Sequence, residues 1–193
     1  MKNKFDHIRD DKCLLKSDLI VLTETWLEQT QSTYDQYQLT DYKENLNCIG
    51  RGRGIASYFN LKFKHTQDIN YDGCSISKSE AEKLDVIGIY RSQEGNIMEL
   101  ISKLEDLITE GKTTVIGGDM NICALAHPKN YLSATLRQKG FEQLVKRSTH
   151  IEGGMIDHIY IIQGEKTRFS YKVVNFPKYY SDHDGLGIIL SEE

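Results

Sequence analysis

Residues 83–121, KLDVIGIYRSQEGNIMELISKLEDLITEGKTTVIGGDMN, decide the fold class. KLDVIGIY (residues 83–90) is rich in branched and aromatic side chains and reads as a strand. Behind it, Ile97, Leu100, Ile101, Leu104, Leu107 and Ile108 recur at the three- and four-residue steps that gather side chains on one helical face. Asn96 and Glu99 have capping-box spacing, and Gly111 supplies the stop. A second apolar run, TTVI (residues 113–116), reads as another strand and leads into GGDMN. Strand, helix and strand in close succession indicate an α/β domain.

Outward from this segment, DLIVLT (residues 18–23), GIASYF (54–59), MIDHIYII (155–162) and GLGIIL (185–190) read as further strands. Weaker helical patterns cover residues 131–139 and 5–15, and residues 52–78 read as consecutive antiparallel strands, so the sheet is expected to be mixed. With 193 residues, 39% hydrophobic and 27% charged, the composition is that of a globular protein with one core, and a single domain spanning residues 1–193 is expected. No apolar stretch approaches the roughly 18 residues of a membrane span. The N-terminus lacks the apolar region of a secretory signal, which points to an intracellular protein. Four cysteines without a CxxC pair encode neither a zinc knuckle nor a redox motif. A net charge of −4 excludes a surface that is basic throughout, so any contact with nucleic acid must use a local patch.

Acids, amides and an imidazole sit where the apolar strands begin or end. Glu24 follows LIVLT, Asp119 and Asn121 follow TTVIGG, Asp157 lies in GMIDHIYII, and Asp182, His183 and Asp184 precede GLGIIL. Each has a plainer reading alone: Glu24 as a loop acid, GGDMN as a turn, SDHD as a cap, and His158 as a strand-surface residue. Together they are carboxylates that suit a hard cation such as Mg2+, beside an imidazole able to move protons near neutral pH.

In content and order these residues resemble the endonuclease/exonuclease/phosphatase superfamily, the deoxyribonuclease I-like fold. TETWL (23–27), GRGIASYF (52–59), IGIYR (87–91), GGDMN (117–121), IDHIY (156–160) and SDHD (181–184) resemble its motifs in sequence. The resemblance implies a four-layer α/β sandwich of two mixed sheets flanked by helices. It also implies Glu24 on Mg2+, or Mn2+ in its place, with Asp182 supporting the metal shell. Asp119 would orient and deprotonate the attacking water, Asn121 and Tyr90 would contact the phosphate, and His183, held by Asp157, would bond a non-bridging phosphate oxygen.

ETWL, IYR and the chain's length are most similar to endonucleases of non-long-terminal-repeat retrotransposons and helicase-bearing transposons. This narrower likeness implies DNA as substrate, cooperation with a reverse transcriptase or helicase, and a nuclear place of action. Arg91, together with Arg51, Arg53, Lys62, Lys64 and His65, would then bind the substrate backbone, although the lysines equally suit a solvated sheet edge. Members of the superfamily begin with a strand ahead of the Glu motif, for which residues 1–17 have no counterpart, so an N-terminally truncated domain is expected. The alternatives to a DNA endonuclease are a phosphomonoesterase with an inositol-phosphate-like substrate and a catalytically inert fragment.

Overall fold

The computed structural model describes residues 4–28, 30–50 and 53–193. In chain order it contains α1 (Phe5–Asp10), β1 (Leu19–Thr23), α2 (Gln31–Gln36), β2 (Lys43–Asn47), β3 (Ile55–Phe59), β4 (Lys64–Tyr71), β5 (Cys74–Glu80) and β6 (Leu84–Arg91). After these come α3 (Ile97–Leu107), β7 (Thr113–Asp119), α4 (Tyr131–Gln138), β8 (Glu142–Gln143), β9 (Asp157–Ile162), β10 (Phe169–Phe176) and β11 (Gly185–Glu192).

Helix α3 forms where the periodicity places it. The Asn96 side chain accepts hydrogen bonds from the N–H groups of Met98 and Glu99, and Leu100, Ile101, Leu104 and Leu107 are buried. That face packs with Leu132 and Leu136 of α4 on Ile76, Ile87, Ile89 and Ile116 of the central sheet. Helix α1 stops at Asp10, well short of the expected residue 15. The cause is Asp11, whose carboxylate accepts from the N–H groups of Cys13 and Leu14, the Tyr180 hydroxyl and the Lys178 ammonium, drawing the chain out of helical geometry toward a distant loop.

The central sheet has six strands in the order β4-β5-β6-β7-β9-β8; β6 and β7 run parallel, and the other neighbours antiparallel. The facing layer comprises two separate antiparallel ladders, β1-β3-β2 and β10-β11. The four-layer α/β sandwich is therefore present, with all the parallel pairing in one sheet. Val173, Leu186, Ile188 and Leu190 of the β10-β11 ladder pack with Val115, Ile159 and Ile161 of the central sheet. The outer face of β1-β3-β2 buries Ile20, Leu46, Ala56 and Tyr58 against Phe5 and Ile8 of α1.

Where the middle of β1-β3-β2 meets the central sheet, small residues let the two layers approach closely. The Ser57 and Ser77 hydroxyls meet at 3.2 Å, and a Cβ on Gly88 would stand 2.6 Å from a Val21 methyl. This close approach sets the C-terminal end of β1 over the C-terminal ends of β6 and β7. Strands β2, β8 and β10 lie outside the elements read from sequence; β2, KENLN, carries little apolar signal and is made a strand by pairing with β3. Among the described residues, no helix is long and apolar enough to cross a membrane.

Candidate active site

Three adjacent strands bring their polar ends to one level. Tyr90 of β6 is in register with Asp119 of β7, and Asp119 with Asp157 of β9. Alternation along each strand turns all three side chains toward the facing layer, since Tyr90 shares the face of Gly88 and Asp157 that of Ile159. Gly118 permits the β7 end: it has φ +137°, and a Cβ there would lie 2.0 Å from the Ile89 carbonyl oxygen.

The loop after β1 supplies the fourth group. Glu24 and Trp26 both have positive φ, 51° and 57°, so the chain turns sharply where the carboxylate emerges. The Glu24 Oε1 accepts the Tyr90 hydroxyl at 2.9 Å. Burial pushes that hydroxyl's pKa up, and the bond to Glu24 adds to the shift, so the phenol stays protonated as a donor.

Asp119 is 2% exposed. Its carboxylate accepts the Asn121 backbone N–H at 2.9 Å and the Asn121 Nδ2 at 3.2 Å, and that amide also donates to the Arg91 carbonyl at 2.8 Å. Asn121 itself is left-handed, with φ +49°. Burial pushes the Asp119 carboxyl up to about 7, with the Asp157 charge adding to the effect.

Asp157 is held from behind by buried Thr149, whose Oγ1 accepts the N–H groups of Ile156 and Asp157 at 3.2 and 3.1 Å. In front, the Asp157 carboxylate meets His183 Nδ1 at 2.9 and 3.1 Å. That hydrogen bond carries the His183 imidazole up to about 9, leaving it cationic at neutral pH with an Nε2–H that has no hydrogen-bond partner among the described residues.

Asp119, Asp157 and His183 present ligand-type atoms within 4.8 Å of one another, as do His150, Asp182 and His183. In the first set His183 Nδ1 already faces the Asp157 carboxylate, so what this region offers a hard divalent cation is oxygen alone. Two carboxylates sit close together and largely buried, Glu24 is near enough to raise Asp119 further, and the oxygen donors match Mg2+ or Mn2+. Asp182 is mostly exposed on the His183 side, and its main-chain carbonyl accepts the Ile151 N–H at 2.9 Å.

Of the expected substrate-binding residues, Arg91, Lys62 and Lys64 are engaged within the protein. Arg91 is buried: Nε donates to the Gly95 carbonyl, and the two terminal nitrogens donate to the Met120 and Gln93 carbonyls, all within 3.0 Å. Its guanidinium locks the loops after β6 and β7 together and is not presented to a substrate. Lys62 is paired with Asp18 and Lys64 with Glu80, toward the end of the sandwich away from Glu24, so the sheet-edge reading describes them. His65 pairs with Asp68 on β4. Arg53 lies near the Tyr90 hydroxyl, where its charge opposes the upward shift, while Arg51 falls outside the described residues.

His158 is fully buried, not on the strand surface as expected. Its Nδ1 lies 2.9 Å from the Tyr160 hydroxyl, and Nε2 reaches the Ile122 and Met155 carbonyls at 2.9 and 3.2 Å. It thereby ties the chain just after Asn121 to Met155, just ahead of β9. Thr149 and His150 have no distinct sequence signal; only the Gly153-Gly154 pair ahead of IDH hints at a tight turn that would bring them near Asp157.

No family model and no curated protein matches the chain. Solved structures do, and they establish a deoxyribonuclease I-like fold. An AP endonuclease from Archaeoglobus fulgidus superposes with a TM-score of 0.67 at 14% identity, covering 98% of this chain and 95% of that one. D. rerio TDP2 complexed with a single-strand DNA product gives 0.64 at 12% identity, over 96% and 90% of the two chains. The endonuclease domain of TRAS1, a telomere-specific non-LTR retrotransposon, gives 0.61 at 12% identity, over 94% and 88%.

Proposed function

We propose that this protein is a divalent-metal-dependent phosphodiesterase that nicks DNA, with Mg2+ as the metal, and that it derives from a mobile element. The observation carrying the reading is the row Tyr90, Asp119, Asp157 at one level of the sheet, with His183 seated on Asp157. The likenesses to an AP endonuclease, to TDP2 bound to DNA and to a retrotransposon endonuclease support DNA as the substrate class. The mobile-element origin rests on the last of these and on the ETWL and IYR motifs.

Glu24 would hold the metal with support from Asp182, and the metal would supply Lewis-acid stabilisation of charge on the phosphate oxygens. Asp119, with a carboxyl titrating near 7, is poised to take a proton from a water aligned by Asn121. The His183 Nε2–H points its positive charge at a non-bridging oxygen as negative charge builds there, while Asp157 fixes the ring's orientation. The Tyr90 hydroxyl, kept protonated, adds a neutral donor on the Glu24 side.

The deciding assay is relaxation of supercoiled plasmid by the purified protein with and without Mg2+, beside Asp119→Ala and His183→Ala. Metal-dependent nicking lost in both variants is the expected result; a folded protein that never nicks under any divalent metal would sink the reading. One observation favours a second reading, a phosphomonoesterase of the same fold: Lys62, Lys64 and Arg91 are all engaged within the protein. Metal-dependent phosphate release from an inositol phosphate, without nicking, would select it over the endonuclease.

A further inference from the structure

The turn Ser148–Gly154, STHIEGG, is built against the loop that carries His183. Thr149 and His150 both donate their N–H groups to the Gly154 carbonyl at 2.9 and 3.0 Å, and Gly153, at φ +86°, closes the turn. Asp184 N–H donates to the Thr149 carbonyl at 2.7 Å and Ile151 N–H to the Asp182 carbonyl at 2.9 Å, so His150 and His183 form an isolated antiparallel bridge. Their rings meet edge to face with centroids 4.9 Å apart. This is a fixed pair of imidazoles, and only one of them has a task in the chemistry above.

The second ring has a defined polarity. His150 Nδ1 accepts the Glu152 N–H at 3.2 Å, so in the tautomer that this bond selects the hydrogen sits on Nε2. Nε2 is 3.8 Å from an Asp182 oxygen, too far for a hydrogen bond, and it has no hydrogen-bond partner among the described residues. With its lone pair already taken up by Glu152, the ring carries a hydrogen on the side of Asp182, next to His183, which suits an anion and not a metal ion.

We propose that His150 is a second phosphate-contacting residue of this site, donating its Nε2–H to a substrate phosphate oxygen beside the one that His183 serves. The two rings form a paired N–H clamp whose spacing is set by the bridge between their backbones. The inference rests on the reading of His183 as a phosphate contact and extends it to a residue on a different loop.

The test uses His150→Phe, which keeps an aromatic ring against His183 but removes the N–H, and His150→Gln, which restores a donor. On a short DNA duplex with Mg2+, His150→Phe should lose roughly ten- to a hundredfold in kcat/KM, the effect of removing one donor to an anionic oxygen, and His150→Gln should recover most of it. In parallel, inorganic phosphate is titrated into the wild type and both variants while the histidine side-chain NH resonances are followed. The His150 Nε2–H should shift on saturation, and phosphate should bind more weakly to His150→Phe. Wild-type cleavage rates in His150→Phe, a glutamine variant as poor as the phenylalanine one, or a His150 resonance indifferent to phosphate would each overturn the proposal while leaving the nuclease reading intact. If the wild type cleaves no DNA but the His150 signal still follows phosphate, the clamp stands and the endonuclease reading falls. Should His150→Phe melt well below the wild type, the glutamine variant and the resonance shift decide the matter.

Discussion

Asp119 shows most directly how this site trades stability for chemistry. It is a buried carboxyl beside a second carboxylate, raised to about 7 from an ordinary value of 3.8. An acid with a raised folded pKa holds its proton more tightly when folded, so from the ordinary carboxylate range up to about 7 the metal-free fold loses stability as pH rises. Asp119→Asn removes that cost while keeping the shape. The variant should melt higher than the wild type at pH 8 without metal, by about 1–2 kcal/mol, and be inactive. Calorimetry at pH 5 and pH 8 checks the sign, since the gain should shrink at the lower pH. His183 works in the same direction by a different route. Its folded pKa of about 9 exceeds the ordinary 6.5, so its contribution is complete below about 6.5 and is lost as pH climbs through 9. Replacing it by Gln should flatten the fall in melting temperature across that window, whereas an unchanged slope would show that the Asp157 contact contributes nothing there.

At the scale of single elements, the site depends on how tightly β6 and β7 approach. Gly118 is the critical residue: a Cβ there would penetrate the Ile89 carbonyl, and its φ of +137° is strained for any other residue. Gly118→Ala should cost about 3 kcal/mol or more and displace Asp119 from the level of Tyr90, read as a drop in both melting temperature and Mg2+ affinity. Arg91 is the corresponding latch between the loops after those strands. Arg91→Lys keeps the charge but has too few planar donors for the Gly95, Met120 and Gln93 carbonyls. A loss of about 1–3 kcal/mol is expected, with kcat falling more than KM rises because Asn121 hangs from the Arg91 carbonyl. Equal stability in the lysine variant would refute the latch. Helix α3 and strands β6 and β7 could be read from sequence because their signals are local: periodicity, a cap, a glycine stop. Arg91, His158 and the early end of α1 could not, because each is decided by a partner distant in sequence: Met120 for Arg91, Ile122 for His158 and Lys178 for Asp11.

Across the whole molecule, the second layer is divided. Strand β1 pairs only with β3 and β11 only with β10 among the described residues, although both ladders lie over the same face of the central sheet. In the 193-residue chain, the outward amides of β1 and β11 should therefore exchange with solvent far faster than those of β6 and β7. Hydrogen exchange followed amide by amide checks this, with the β6 and β7 amides as the protected reference. Edge amides as protected as those of β7 would rule this out.

The sequence by itself determined the fold class and the set of groups available for chemistry, since apolar runs with polar ends state which carboxylates, amides and imidazoles leave a sheet at its rim. Only the tertiary structure decided how those groups are used. Strand register aligned Tyr90, Asp119 and Asp157. Burial raised Asp119, long-range hydrogen bonds turned Arg91 inward, and a bridge between distant loops set His150 beside His183. The physical reason is range: hydrophobic periodicity is written in neighbouring residues, whereas register, desolvation and pairing depend on residues that meet only once the chain is packed.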